Sequence, residues 1–199
     1  MEITRELAKF NTIKFHDKEH KYYMNDTKMS SVTQLIGNYK QPFDSDYWSE
    51  KKANERGILK EEILKEWKYK ADFSTQKGSA FHAFAENYLF NKVFPFPEEE
   101  MTEVLGGTEN MLECRAAVKT IIELFKKFYD DSHGKLIPVR AEVVVGDEEL
   151  GLCGMIDQLF WNEKSGKLEI WDWKTNKKID NKNKWQQFKS PISHLDVCE

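Results

Sequence analysis

Asp157, Asp172 and Lys174 are the residues whose types and spacing could do chemistry together. Asp157 lies in an apolar run, Leu152 to Trp161. Asp172 and Lys174 lie in a second, Leu168 to Thr175, joined to the first by Asn162-Glu-Lys-Ser-Gly-Lys167. Both runs read as strands, and residues 163–166 as the loop between them, with Gly166 supplying an unusual backbone angle. Asn162 then faces Lys167, and counting back along both strands sets Asp157 opposite Asp172. Directly opposed residues have β-carbons about 4.5–5.5 Å apart. Two carboxylates that close repel, and neither is cheaply buried alone. A divalent cation removes both costs, and Mg²⁺ keeps several waters, so two carboxylates are a sufficient protein contribution. Lys174, two residues past Asp172, points to the same face. Its ammonium can orient a water and offset charge on a phosphate, which is what phosphodiester hydrolysis needs. A one-residue slip of register would undo this arrangement.

A second constellation lies upstream in Gly78-Ser-Ala-Phe-His82-Ala-Phe-Ala-Glu86. On a helix His82 and Glu86 are one turn apart and share a face, at the edge of a stripe of Phe81, Phe84, Ala85 and Tyr88. Alone, such a pair is more often a surface hydrogen bond than a ligand set. An imidazole ligand would favour Mn²⁺ over Mg²⁺ relative to an all-oxygen site.

These segments carry a family resemblance. Gly154-Met-Ile-Asp157 followed by Asp172-Trp-Lys174-Thr175 resembles the core motif of the PD-(D/E)XK nuclease superfamily. It is similar in particular to the RecB-type exonuclease branch, with its G-x-x-D, hairpin and D/E-x-K-T. The G-x-x-x-H-x-x-x-E spacing of Gly78, His82 and Glu86 fits the same branch. The resemblance implies a restriction-endonuclease-like α/β (α+β) core and metal ligation by Asp157, Asp172 and His82. It implies catalytic roles for Asp157, Asp172, Lys174 and Glu86, with Glu142, Gly154 and Thr175 in support. The implied cofactor is Mg²⁺ or Mn²⁺ and the implied activity DNA exonuclease, in phage or bacterial recombination, replication or repair. The chain departs from the branch after the D-x-K strand. Gln186 and Gln187 are followed four residues later by Ser190 and Pro191, not by the tyrosine of Q-x-x-x-Y. An incomplete core is therefore expected, and the second reading is a non-catalytic or partner-dependent DNA-binding module with a relict site.

The elements that must position these residues follow from periodicity. Asn11 to Phe15 and Lys21 to Met24 read as an N-terminal hairpin, and Ser30 to Gln34 as a helix entry. Residues 45–70 read as helical, ending near Ala71-Asp72, and a second helix starts at Gly78-Ser79 and runs to about Phe90. Pro95-Phe-Pro97, Glu98 to Glu100 and Gly106-Gly107 read as a surface loop. Glu109 to Tyr129 is the clearest helix, with Val118, Ile121, Ile122, Phe125, Phe128 and Tyr129 on one stripe. Alternation of Val139, Ala141, Val143 and Val145 with Arg140, Glu142 and Val144 marks a strand. A single domain over residues 1–199 is expected. Its parts are hairpin and first helix (1–43), helical part (44–134), catalytic three-stranded meander flanked by helices (135–177) and basic tail (178–199).

Composition bounds the rest. Hydrophobic residues at 40% and charged residues at 32% suit a folded globular chain. No apolar run approaches the roughly 20 residues needed to cross a bilayer, and Met1 to Glu6 lacks a secretory start. A cytoplasmic address without membrane partners is therefore expected. Cys114, Cys153 and Cys198 lie far apart, which argues against a disulfide scaffold, a zinc ribbon or a four-cysteine iron–sulfur cluster. The net charge of −4 disfavours polyanions on average, but phosphates respond to local patches. Lys177, Lys178, Lys182 and Lys184 with Trp185 suit phosphate tracking plus stacking, so DNA ends, single strands included, are the expected partner. A downstream polypeptide or recombination protein is the other expected partner. A second cluster, Trp48, Lys51, Lys52, Arg56, Lys60, Trp67, Lys68 and Tyr69, is diluted by glutamates. A plain amphipathic helix explains it equally well.

Overall fold

The computed structural model describes residues 7–16, 19, 21–132, 134–178 and 188–190. It is a mixed α/β structure with two compact units. One comprises Met1–Gln41, Pro138–Asp172 and Lys178–Glu199; the other comprises Pro42–Ile137 and Trp173–Lys177.

The first unit is built on a six-stranded mixed sheet. Strands β1 (Ile13–His16), β2 (Lys21–Met24) and β3 (Thr27–Ser31) form an antiparallel run. The link from β2 to β3 is the two-residue turn Asn25-Asp26, with φ of 49° and 63°. These are the left-handed angles of a type I′ hairpin, which Asn and Asp tolerate better than other side-chain-bearing residues. Strand β3 is an element that the sequence reading did not anticipate. Ser31 ends it and caps helix α1 (Val32–Gly37), its hydroxyl accepting from Gln34 N at 3.0 Å, so the expected helix entry lies one residue beyond the strand.

Strands β4 (Leu136–Asp147), β5 (Leu152–Asn162) and β6 (Lys167–Trp171) form the expected meander. Strand β5 is the hub: it pairs with β4, with β6 antiparallel, and with β3 in parallel through Ser30–Leu152 and Ser31–Cys153. The β5–β6 turn is the expected loop, Gly166 taking φ 62° and donating to Asn162 O at 2.8 Å. The pairing ends at Trp171, four residues short of the expected strand end. A small core of Ile13, Tyr22, Met29 and Cys153 holds the hairpin to β5. Gly146 sits in a tight place there: a β-carbon on it would lie 2.7 Å from Ile13 Cδ1 and 3.0 Å from Leu152 O.

The second unit holds four helices: α2 (Ser45–Arg56), α3 (Lys60–Leu89), α4 (Glu98–Leu105) and α5 (Thr108–Asp131). Two sequence expectations are corrected here. The helix break falls at Gly57, which takes φ 66°, and not near Ala71-Asp72. From Lys60 the helix runs unbroken for 30 residues with Gly78 inside it. No proline interrupts 60–89, and Ile63, Gln76, Ala80, Phe81 and Ala85 are buried along it. That burial outweighs the roughly 1 kcal/mol that a mid-helix glycine costs. The second correction is the loop expected around Glu98–Glu100, which is the start of helix α4. Its three glutamates complement the positive helix N-terminus, and Met101 and Leu105 bury fully against Met111, Cys114 and Val118 of α5.

Candidate functional site

Within the sheet unit the site begins with Asp157 on β5. The register pairs Gln158 with Trp171 and Asn162 with Lys167, so Asp172 is the next residue in step with Asp157, one position past the last paired residue. That is the register read from the hairpin. On the other strand, Asp147 and Leu152 flank the Glu148–Gly151 turn. Five residues back from Asp147 is Glu142, and five on from Leu152 is Asp157. A carboxylate oxygen of Glu142 lies within 4.8 Å of one of Asp157, and both residues are half-buried. Glu142 of β4 and Asp157 of β5 are thus close neighbours, and Asp172 follows β6 in step with Asp157. The close pair is Glu142 with Asp157, and the exposed Asp172 is not part of that close group.

Glu142 owes its place to an unusual backbone. Its φ of 47° puts a branched-free but bulky acidic residue in the left-handed region in mid-strand, which costs on the order of 1–2 kcal/mol for a non-glycine residue. Such a residue breaks the ladder as a bulge does and re-aims the side chain. Its charge is felt nearby. The Tyr22 hydroxyl is pushed above the usual phenol range by burial first, then by Cys153 and Glu142.

Oxygens opposite each other on Mg²⁺, at 2.0–2.1 Å each, are about 4.2 Å apart. The Glu142–Asp157 spacing exceeds this by at most about 0.6 Å, which a small side-chain rotation closes. The two carboxylates fit a hard divalent cation.

Within the helical unit, the segment Trp173–Lys177 packs on α3 and α5. His82 Nε2 donates to Trp173 O at 3.1 Å, and Lys77 Nζ donates to Thr175 O at 3.0 Å. The backbone on both sides of Lys174 is therefore gripped from one stretch of α3. The Trp173 ring meets Phe125 edge-on at 5.4 Å and Phe81 and Phe128 at 6.4 Å. Lys174, next in the chain, is exposed. Since a carbonyl only accepts, Nε2 of His82 carries the proton, which leaves the lone pair of the neutral ring on Nδ1. Glu86 lies one turn further along α3, half-buried like His82. A β-carbon on Gly78 would sit 3.7 Å from Thr175 Oγ1, ordinary contact, so the segment approaches the helix closely there.

Other expected residues divide. Gly154 has open space where a β-carbon would sit, so packing does not demand glycine there. Lys177 and Lys178 are exposed, while Lys182, Lys184 and Trp185 lie outside the described residues. In the second basic cluster Lys52, Arg56 and Lys68 pair with Glu55, Glu66 and Asp72 at 2.5–2.7 Å, and Lys60 with Asp46. That neutralisation favours the amphipathic-helix reading. Lys77 was not anticipated; only its place beside Gly78 and His82 on one helix marks it in the sequence. Among the described residues no helix is long and apolar enough to cross a membrane. No family model, curated protein or solved structure matches the chain.

Proposed function

We propose that the chain is a metal-dependent DNA exonuclease that hydrolyses phosphodiester bonds in phage or bacterial recombination, replication or repair. The observation that carries this reading is the half-buried Glu142–Asp157 carboxylate pair, within 4.8 Å, at the level where the register brings Asp172 alongside. The restriction-endonuclease-like core and the RecB-type assignment rest on the D-hairpin-D-x-K-T and G-x-x-x-H-x-x-x-E motifs and belong to the same proposal.

Asp157 and Asp172 would hold Mg²⁺ or Mn²⁺ with Glu142 beside Asp157, and the motif implies His82 as a further ligand. A divalent ion bound there supplies charge to a phosphate oxygen and makes a water more acidic. The protein's own contributions are separable. Lys174, its flanking carbonyls held by His82 and Lys77, presents an ammonium that orients the attacking water and offsets charge on the phosphate. The hydrogen bond from Nε2 fixes the His82 ring, as backbone carbonyls commonly do for ligating histidines. Glu86 supports the same helix face, and Lys177 and Lys178 supply phosphate contacts beyond Lys174.

The test is hydrolysis of end-labelled single- and double-stranded DNA with Mg²⁺, Mn²⁺ or chelator. Metal-dependent release of nucleotides is expected, with Asp157→Asn, Asp172→Asn and Lys174→Met each losing about 10²-fold or more. Cleavage in chelator, or full activity in Asp172→Ala, refutes the mechanism. DNA binding without turnover under either metal favours the relict-site module.

A further inference from the structure

We infer that the outer face of the β1–β2–β3 sheet is a second nucleic-acid site, which takes single-stranded DNA or RNA by its phosphates and one base. The inference is independent of the hydrolytic reading and stands even if the chain cleaves nothing. The register fixes which residues share this face. Lys14 pairs with Tyr23 and Tyr23 with Lys28, so the three side chains form one row across three strands. His16, two residues after Lys14, and Lys21, two before Tyr23, extend the row and are themselves paired. The opposite face of the same strands carries Ile13, Tyr22 and Met29 and is buried.

The row has three features that point to a ligand. It is crowded with cations: Lys14, Lys21 and Lys28 stand on one small face with His16, in a chain whose net charge is −4. Like charges on neighbouring strands are unfavourable, and a polyanion removes that cost. Glu19 is already bound to Lys21 at 2.7 Å, and Lys21, His16 and Lys28 together hold its carboxyl below the usual range. Second, the row carries an aromatic pair, the rings of His16 and Tyr23 lying 4.9 Å apart at 54°. Third, the surface there is concave. A groove of about 590 Å³ is lined by Thr12, Lys14, His16, Tyr23, Asn25 and Asp26. Lys14 and Tyr23 in the groove, with Lys28 beside it in the same row, suit phosphates on either side of a stacked base. Asn25 and Asp26 at the hairpin turn offer polar atoms to a base edge or sugar hydroxyl. Asp26 also repels phosphate, which places the backbone on the Lys14–Lys28 side.

The experiment is fluorescence anisotropy of labelled oligothymidylate in chelator, so that cleavage does not intrude, across 50–200 mM salt. Unlabelled oligothymidylate, polyglutamate and inorganic phosphate serve as competitors. Lys14→Glu/Lys28→Glu should weaken binding at least tenfold at low salt. Loss of two phosphate contacts lowers the salt slope by about 1.4, so wild type loses about sevenfold more affinity over this range than the double variant. Tyr23→Leu should weaken binding about fivefold or more with an unchanged slope. All three positions are at least partly solvent-accessible, and unchanged circular dichroism melts confirm that the variants fold. Absence of binding by wild type, or equal binding by wild type and the double variant, overturns the inference. So does polyglutamate competing as well as oligothymidylate while Tyr23→Leu is neutral, since that is anion attraction without base recognition.

Discussion

Divalent metal should stabilise wild type far more than Asp157→Asn, which removes the residue most central to the proposed site. Glu142 and Asp157 bring carboxylate oxygens within 4.8 Å of each other, a spacing that one Mg²⁺ would bridge. At a concentration 100 times its dissociation constant the metal stabilises wild type by about 2.7 kcal/mol, and Asp157→Asn much less. For a chain of this length that raises the midpoint of thermal unfolding of wild type by about 5–11 °C. The assay is a pair of thermal melts per protein, in chelator and in millimolar Mn²⁺ or Mg²⁺, with Glu142→Gln as the reciprocal variant. If both proteins gain equally from metal, the metal binds elsewhere.

Three further outcomes are expected. Gly146→Ala should destabilise by about 1–3 kcal/mol in chemical denaturation, because its new β-carbon would lie 3.0 Å from the backbone carbonyl of Leu152; a neutral result shows that the β4–β5 turn can shift. Burial raises the thiols of Cys114 and Cys153, so the folded state keeps protons that the unfolded state releases. Their stabilisation is complete below the unfolded thiol pKa near 8.5 and falls as pH rises toward the folded values. Denaturation at pH 7.5 and 9.5 should show that loss, reduced in Cys114→Ala/Cys153→Ala, and an unchanged slope in the double variant refutes it. Lys77→Met, which leaves the Thr175 carbonyl without its ammonium donor, should cost about 1–2 kcal/mol, read by denaturant melts against Lys77→Arg, which keeps a donor.

The sequence made the meander legible because its signals were local. Asn162 and Gly166 set the hairpin loop, Asn162 Oδ1 accepting from Lys164 N and Ser165 N at 2.9 and 3.1 Å, and that loop fixed the register through Gln158–Trp171. His82 and Glu86 were legible through helical spacing. What was missed depends on tertiary contact. The Gly78 break was wrong because burial on both sides of a glycine is invisible in a propensity reading. Met101 and Leu105 of α4 were hidden behind three glutamates that looked like a solvated loop. The strand through Asp172 to Thr175 was overextended because alternation continues while pairing does not. Residues 173–177 leave the ladder and are gripped by Lys77 and His82 instead.

Glu142 is the case where simple strand alternation and the observed backbone part company, and it bears most on function. An even β-strand would give this glutamate an ordinary extended backbone and an ordinary place on the polar face. Instead it takes φ 47°, an unfavourable conformation, and places a carboxylate beside Asp157, an unfavourable neighbour. A sequence under selection for stability alone would remove either cost by one substitution, glycine or asparagine at 142 or asparagine at 157. An unfavourable backbone that sets a carboxylate within 4.8 Å of another fits the cation that Glu142 and Asp157 are proposed to share. Local violations of this kind are the expected mark of a functional site, which is why Glu142→Gln belongs beside Asp157→Asn in every test of the proposal.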